Sequence, residues 1–442
     1  MPLIPKQKPK KHLKFTALRE SFSKIVRAIP DPRQQGKCEY SQHDALMSAF
    51  GCMYFQDPSF LAYQRRLESK YQSSNIKTLF DVKRIPKETQ LRDILDEIPT
   101  HQFTDIFSDL FERLRRHNHL KQFELLSGVY LCSIDGTQHH SSKQVNCEHC
   151  LHKQHRNGSI TYSHSVLQGA IMHPSQRQVI PLMPEMIRNE DGHKKQDCET
   201  NAAKRFIGQL RATHPRLRLM ICGDGLFSHQ PMIEEALAQG MHFLYVAKPD
   251  DHTYMMEWIA AYKDIPSVEF KDEKGRTHRY QWQNQVPLHG GEKAITVNYL
   301  AYQLINSKKK VTYKNSWVTD VEVTQDNIEQ LVSGGRCRWK IENECFNTLK
   351  NQGYHITHNF GHGKKHLSDN MYILTLLAFY FHQIFELTDG MYQACRERYG
   401  SKAHMWENFR VTVRFLLFDD WEGLMENLLS DPDITEESYY RP

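Results

Sequence analysis

The sequence predicts a mixed α/β fold in which a sheet is flanked by helices, with helical regions at both ends of the chain. Between residues 126 and 263, three strand-like segments come first and helices then alternate with strands, which is typical of a mixed sheet covered by helices. Residues 264–324 alternate apolar and polar side chains between turns and predict a β-rich insertion. The regions outside these limits have mainly helical periodicity.

A chain of 442 residues is too long for one ordinary core. The predicted parts are a disordered basic arm (1–15), a helical domain suited to DNA binding (16–125), an α/β domain (126–263 and 325–390), the insertion (264–324) and a helical C-terminal region with an acidic tail (391–442). The N-terminal segment lacks the apolar run of a signal peptide. The longest apolar run, residues 371–385, is shorter than the ~18 residues of a membrane span and predicts a buried core helix.

The net charge of the chain is +5, but the charged residues are distributed unevenly along it. Residues 1–28 hold eight Lys and Arg against one Glu, and residues 418–442 hold eight acids against one Arg. A basic arm of this kind often contacts nucleic-acid phosphates, although a solvated terminal segment has the same composition. Ten cysteines without a secretory signal indicate a reducing compartment.

Two aspartates follow apolar, strand-like segments. Asp135 ends the segment SGVYLCSID and Asp224 follows RLMICG, and each is followed by a glycine. Functional sites of open α/β sheets form at the carboxyl ends of strands. An Asp-Gly pair after a strand is also an ordinary turn, so neither aspartate alone defines a site.

A third acid lies in the segment 336–350, RCRWKIENECFNTLK, which is predicted to form one helix. At ~100° per residue Glu342 lies on a largely apolar stripe, whereas Glu344 faces away beside Lys340. A carboxylate on a buried stripe needs a cationic partner. Glu342 is therefore expected to meet either Arg338, one turn earlier, or a metal ion.

Three converging carboxylates repel one another unless divalent cations neutralise them, and Mg²⁺ takes oxygen ligands. Two such ions, about 3.5–4 Å apart, stabilise both the attacking and the leaving oxygen of a phosphoryl transfer. Asp135, Asp224 and Glu342 therefore predict a site for two Mg²⁺ or Mn²⁺ ions in an enzyme that acts on phosphodiesters.

The order of these acids, with a β-rich insertion before the last, resembles the DDE transposases of bacterial insertion sequences, whose catalytic domain has an RNase H-like fold. The helix of the last acid resembles the pattern R-W-x-I-E-x-x-F-x-x-L-K, which runs here from Arg338 to Lys350. The segments SIDGT, GDGLFS, YVAKPDDH, QDCE and HNFGHG are similar to segments of the same group. The resemblance covers about residues 125–390.

The resemblance implies an enzyme that cleaves double-stranded DNA at the element ends and transfers the strands into target DNA. It implies a homodimer that bridges two ends in the bacterial cytoplasm, associated with the nucleoid and without a membrane partner. The metal ligands would be Asp135, Asp224 and Glu342, and the DNA contacts Arg338, Lys350 and Lys248. A metal-dependent nuclease without strand transfer and a catalytically silent DNA-binding derivative are the alternatives.

The chain departs from the Y-R-E-K signature of this group at two points. Gly335 stands where the tyrosine is expected, three residues before Arg338. One extra residue separates Glu342 from Lys350, which leaves Glu344 as a rival third acid, although the helical stripe favours Glu342. Glu199, in the first turn of a predicted helix, is a further candidate ligand, but an acid there also stabilises the helix.

A second metal site is indicated by Cys147-x-x-Cys150 and the histidines after it. Cys147, Cys150, His152 and His155 would form a four-ligand Zn²⁺ site, and His164 lies further along. The alternative is a His-rich loop between the first two strands. A zinc-dependent interaction module is accordingly a further interpretation of the function.

Overall fold

The computed structural model describes residues 10–67, 70–189 and 196–430, and these form two compact units. The first unit combines the chain up to His117 with the chain from Thr348 onward, and the second is Asn118–Asn347. The predicted division differs, because it assigned residues up to 390 to the α/β domain.

The helices are α1 (Phe15–Ala28), α2 (Gln42–Tyr54), α3 (Phe60–Leu67), α4 (Lys70–Phe80), α5 (Glu88–Asp96), α6 (Thr104–Arg116), α7 (Glu199–Thr213), α8 (Gln230–Ala238), α9 (Thr253–Ala260), α10 (Ile328–Cys337), α11 (Asn347–Asn351), α12 (Leu367–Thr388), α13 (Gly390–Tyr399), α14 (Lys402–Phe415) and α15 (Trp421–Leu429). The strands are β1 (Glu124–Leu126), β2 (Val129–Ser142), β3 (Leu151–Gln154), β4 (Ile160–Met172), β5 (Ile180–Pro181), β6 (Glu185–Ile187), β7 (Leu219–Gly223), β8 (His242–Val246), β9 (Ser267–Lys271), β10 (Thr277–Pro287), β11 (Thr296–Ile305) and β12 (Val311–Thr319).

The first unit is helical and is built around α12. This helix is long and apolar enough to cross a membrane, but 89% of its most apolar 18-residue window is buried. It packs against α2, whose residues are all buried, and against α5 and α13. The prediction of a buried core helix is confirmed. Because α12 is apolar nearly all round, its sequence pattern does not reveal which core it joins.

The two ends of this unit can be compared with the basic arm and the acidic tail predicted from the sequence. Residues 1–9 and 431–442, which include most of the predicted basic arm and four of the eight acids in residues 418–442, lie outside the described residues. The predicted disordered arm reached residue 15, whereas Lys11–Leu13 form a 3₁₀ turn in which Leu13 is buried. An apolar side chain that packs in this way holds the chain just before α1, so the disorder predicted for residues 11–15 is wrong.

The second unit contains one mixed sheet with the strand order β3-β4-β2-β7-β8-β12-β11-β10-β9 among the described residues, and β1, β5 and β6 pair at its side. β2 is antiparallel to β4 and parallel to β7, and β7 is parallel to β8. α7 packs on β4 and β6, and α8 packs on β8. The predicted mixed sheet flanked by helices is confirmed.

The insertion predicted over residues 264–324 forms four consecutive antiparallel strands, β9 to β12. They continue the main sheet because β12 pairs with β8. The alternation seen in the sequence agrees with β11, in which Leu300 and Tyr302 are buried and residues 299, 301 and 303 are half-buried. The chain returns from β12 to α10, which leads to the predicted third acid.

Candidate active site

Asp135 and Asp224 occupy matching positions on neighbouring parallel strands. The parallel pairs of β2 and β7 run to Ser133–Cys222, and each aspartate comes two residues later. Neighbouring strands lie about 4.8 Å apart, so both carboxylates leave the same edge of the sheet. Asp135 does not end its strand as predicted, because β2 continues to Ser142 paired with β4. It lies instead just beyond the end of the parallel pairing.

Glu342 lies on a π-helical turn and not on the single α-helix predicted for residues 336–350. α10 ends at Cys337, the π-helical turn spans Ile341–Phe346, and α11 follows. The N–H of Asn347 donates to the carbonyl of Glu342, five residues earlier. Such turns inside helices are frequent at functional sites. The regular advance of 100° per residue therefore does not describe this segment, although Cys345 and Phe346 are buried as the stripe predicts.

Arg338 connects two of the predicted metal ligands. Its Nη1 lies 2.9 Å from Glu342 Oε1 and 3.7 Å from Asp135 Oδ2. The Arg338 side chain is only 12% exposed, so this pairing is partly shielded from water. The ion pair expected from the sequence is thus present, and the same guanidinium also faces the first aspartate. One cation therefore balances part of the negative charge at this edge of the sheet.

The carboxyl group of Asp135 lies in an acidic environment. Burial raises its pKa to about 6, the Arg338 guanidinium opposes that rise, and the charges of Glu342, Asp224 and Glu199 add to it. Burial and then the charge of Asp224 also raise the pKa of Glu199. Perturbed carboxyls of this kind cluster at functional sites, although structural ion pairs perturb them as well. These shifts identify four acids that act on one another.

These carboxylates have the chemistry that Mg²⁺ or Mn²⁺ requires, since hard divalent cations take oxygen ligands. In the part of the chain that the structure describes, no three of them bring their oxygens within 4.8 Å of one another. Arg338 occupies the space between two of them instead. The donor set fits two divalent ions by charge and atom type. Divalent ions at these carboxylates would compete with the Arg338 guanidinium.

Glu199 packs against the glycine that follows Asp135. It stands in the first turn of α7 and its side chain lies on Gly136, where an added Cβ would overlap its Cγ and Cδ. The glycine leaves room for this carboxylate beside Asp135, and the role of Glu199 as a metal ligand stays a prediction. The favourable charge in the first turn of the helix also remains.

Replacing Gly136 by Ala is expected to displace the Glu199 carboxylate and to lower Mg²⁺-dependent activity about tenfold, a loss of about 1.4 kcal/mol. The melting temperature should fall by only a few degrees, because the overlapping atoms belong to a flexible side chain. Activity and thermal unfolding measure the two effects. In a Glu199→Ala background Gly136→Ala should have no further effect on activity. An additive loss would show that the glycine acts by another route.

The predicted DNA-binding lysines lie in different units. The stem of Lys248, an exposed residue after β8, comes within 3.2 Å of an ideal Cβ position on Gly225, directly after Asp224. Lys248 thus lies against the residue that follows the second aspartate, and its contact with DNA phosphate stays a prediction. Lys350 lies in α11, beyond the boundary of the second unit. Its predicted contact with phosphate stays a prediction.

Ser228 and His252 were not singled out in the sequence, although each ends a quoted motif. Ser228 Oγ lies 2.8 Å from His252 Nε2 and also donates to the carbonyl of Gly225. This buried link holds the segment after β7 against the segment after β8, which carry Asp224 and Lys248. The only signal in the sequence was that both residues fall in segments resembling one family.

Glu342, and not Glu344, belongs to this acidic group. Only Glu342 acts on the pKa of Asp135 and pairs with Arg338. Lys340, which was expected to face Glu344, instead donates from Nζ to backbone carbonyls including those of His173 and Pro174, at 2.9 and 3.1 Å. Lys340 therefore binds loop carbonyls, and Glu342 differs from Glu344 in its ion pair with Arg338 and its effect on Asp135.

The position of Gly335 has no room for a side chain. An ideal Cβ on Gly335 would meet the indole of Trp317 at 2.5 Å from Nε1 and 2.6 Å from Cε2. Real Cβ atoms essentially never approach so closely. Trp317 is fully buried on β12, so the indole fills the space that a side chain at position 335 would need.

The Cys/His group forms with a different histidine from those predicted. Cys147, Cys150 and His164 meet, whereas His152 is exposed and His155 Nε2 bonds Thr161 Oγ1 at 2.8 Å. β3 carries His152 along the sheet edge, and β4 brings His164 back to the cysteines. The prediction that His152 and His155 complete the zinc site is therefore wrong.

The chain matches no protein-family model and no curated protein sequence. The function proposed below rests on the residues and their arrangement.

Proposed function

We propose that this protein is a DDE transposase of a bacterial insertion sequence, with an RNase H-like catalytic domain in its second unit. The observation that carries the proposal is the matched register of Asp135 and Asp224 on parallel strands, with Arg338 joining Asp135 to Glu342. The strand order supports the fold, since an antiparallel β4-β2 pair continues into parallel β7 and β8.

Asp135, Asp224 and Glu342 would hold two Mg²⁺ or Mn²⁺ ions. When bound, these ions supply an activated nucleophile and stabilise charge on the attacking and leaving oxygens at phosphorus. The protein holds the acids in position before the ions arrive, because Arg338 offsets their repulsion. The Arg338 guanidinium then turns to a DNA phosphate, for which its planar set of donors is well suited. Lys248, beside Asp224, binds a second phosphate.

The partner is double-stranded DNA, both at the element ends and at the target. The helical first unit and the basic residues 1–28 recognise the ends, and a homodimer bridges two of them. The setting is the bacterial cytoplasm, at the nucleoid. One site serves both cleavage and strand transfer, since both steps are in-line displacements at phosphorus.

The test uses the full-length protein with Mg²⁺ and labelled duplexes taken from the DNA that flanks its gene. We expect cleavage that leaves a 3′-hydroxyl, followed by joining of that end to a supercoiled plasmid. Cleavage without any joined product would identify a nuclease on the same fold. DNA binding without cleavage in Mg²⁺ or Mn²⁺ would identify a silent derivative and overturn the proposal.

Arg338→Ala is expected to tighten Mn²⁺ binding to the DNA-free protein about three- to tenfold, because the arginine no longer competes for the carboxylates. The same variant should cleave DNA more slowly, since a phosphate contact is lost. The electron paramagnetic resonance signal of free Mn²⁺ measures the affinity. Arg336→Ala is the matched control, because the Arg336 guanidinium lies 4.9 Å from the ring of Tyr313 and away from the acids. Equal or weaker Mn²⁺ binding by Arg338→Ala would contradict the proposed competition.

A further inference from the structure

Cys147, Cys150 and His164 form a compact group beside the sheet, apart from the acidic site. Cys147 Sγ lies 3.8 Å from Cys150 Sγ, and His164 Nε2 lies 3.5 and 3.4 Å from these two sulfurs. The two cysteines belong to a tight turn in which the N–H of Cys150 donates to the carbonyl of Cys147. His164 projects from β4, on the other side of the turn.

These separations agree with a tetrahedral zinc ion. With Zn–S bonds of about 2.3 Å and Zn–N bonds of about 2.05 Å, a tetrahedron has S···S edges of about 3.8 Å and S···N edges of about 3.6 Å. The three observed edges match these values to within about 0.2 Å. A disulfide does not explain the group, because its sulfurs would be about 2.05 Å apart, whereas these two sulfurs lie 3.8 Å apart.

Burial also favours a metal. Cys150 and His164 are 2% and 3% exposed, so their polar atoms are largely withdrawn from water. A zinc ion would bond directly to these sulfur and nitrogen atoms, and that binding would offset the free-energy cost of burying them. Two sulfurs and an imidazole are also ligands that zinc prefers, unlike the oxygen ligands of the acidic site.

We propose that Cys147, Cys150 and His164 bind a structural Zn²⁺ ion, which takes one further ligand to complete the tetrahedron. The ion fastens the loop between β2 and β3 to β4, at the stretch of β2 that continues past Asp135. His164 pairs with His140 on β2, and Asp135 pairs with Gln168 on β4. His164 comes four positions before Gln168, which is about 13 Å along the strand, so the zinc stabilises the extension of the sheet next to the acids.

The test is the zinc content of the full-length protein, purified under reducing conditions and measured by mass spectrometry. We expect about one equivalent of zinc per chain, and less than a tenth of that in Cys147→Ser, Cys150→Ser and His164→Ala. His152→Ala, from the predicted ligand set, and Cys198→Ser, an exposed thiol elsewhere, should keep the metal. Circular dichroism shows which variants are folded.

A second measurement uses only the wild-type protein and therefore does not depend on whether the variants fold. Cobalt(II) added to the wild-type protein after zinc removal should give the visible and thiolate charge-transfer bands of a tetrahedral site with sulfur ligands. Wild-type protein that holds no zinc and shows no such bands would overturn the proposal. Zinc retained by His164→Ala but lost by His152→Ala would also overturn it. Neither result depends on DNA cleavage, so this proposal and the proposed function can fail separately.

Discussion

Asp224→Asn is expected to reduce Mg²⁺-dependent DNA cleavage by about 10³-fold or more, which corresponds to about 4 kcal/mol of transition-state stabilisation. An amide has the size of the carboxylate but lacks the charge that a divalent ion needs. The fold should be unaffected, because Asp224 also caps a 3₁₀ turn by accepting from the Leu226 N–H, and asparagine accepts equally well. Cleavage of labelled flanking DNA and thermal unfolding measure the two properties on the same preparations.

Asp250→Asn provides the matched control, since Asp250 is an exposed aspartate in the 3₁₀ turn after β8 and should retain full cleavage. The third acid is tested in the same way by comparing Glu342→Gln with Glu344→Gln. Only Glu342→Gln should lose activity. Full cleavage by Asp224→Asn would refute the role of Asp224 as a metal ligand. Loss of cleavage in Glu344→Gln but not in Glu342→Gln would identify Glu344 as the third acid.

The parts of the fold that were predicted well are those in which local pattern and burial agree. Alternation of side chains revealed the insertion strands, and the apolar segments before Asp135 and Asp224 revealed β2 and β7. The continuation of β2 to Ser142 was not predicted, because its second half contains mainly polar residues and is held by pairing with β4. Strand pairing depends on a distant part of the chain that a local pattern does not include.

The same reasoning applies to the site. The apolar strand-like segments before Asp135 and Asp224 predicted that both aspartates lie at one edge of the sheet, and the register of β2 and β7 places each of them two residues beyond the last parallel pair. The zinc ligands were chosen from their separation along the chain, which favoured His152 over His164. The structure reverses that choice because β3 and β4 form a hairpin, in which residues ten or more apart become neighbours. The π-helical turn at Glu342 is likewise invisible to a periodic pattern.

Gly335→Tyr is expected to destabilise the second unit by about 3 kcal/mol, and therefore to lower its melting temperature by about 6–12 °C. The reason is that the Trp317 indole already fills the space above Gly335. Thermal unfolding of the full-length chain measures the effect. Trp317→Ala alone should also destabilise, by about 3–5 kcal/mol, because it leaves a cavity.

The double variant Gly335→Tyr/Trp317→Ala separates a steric conflict from a loss of helix stability. If the two side chains compete for one space, the double variant should be at least 1 kcal/mol more stable than the sum of the single effects implies. Gly208→Ala is the matched control, since Gly208 also lies within a helix but an added Cβ there meets nothing within 4 Å. It should be neutral or stabilise by up to about 1 kcal/mol. Strict additivity at positions 335 and 317 would show that Trp317 is not the reason for the glycine.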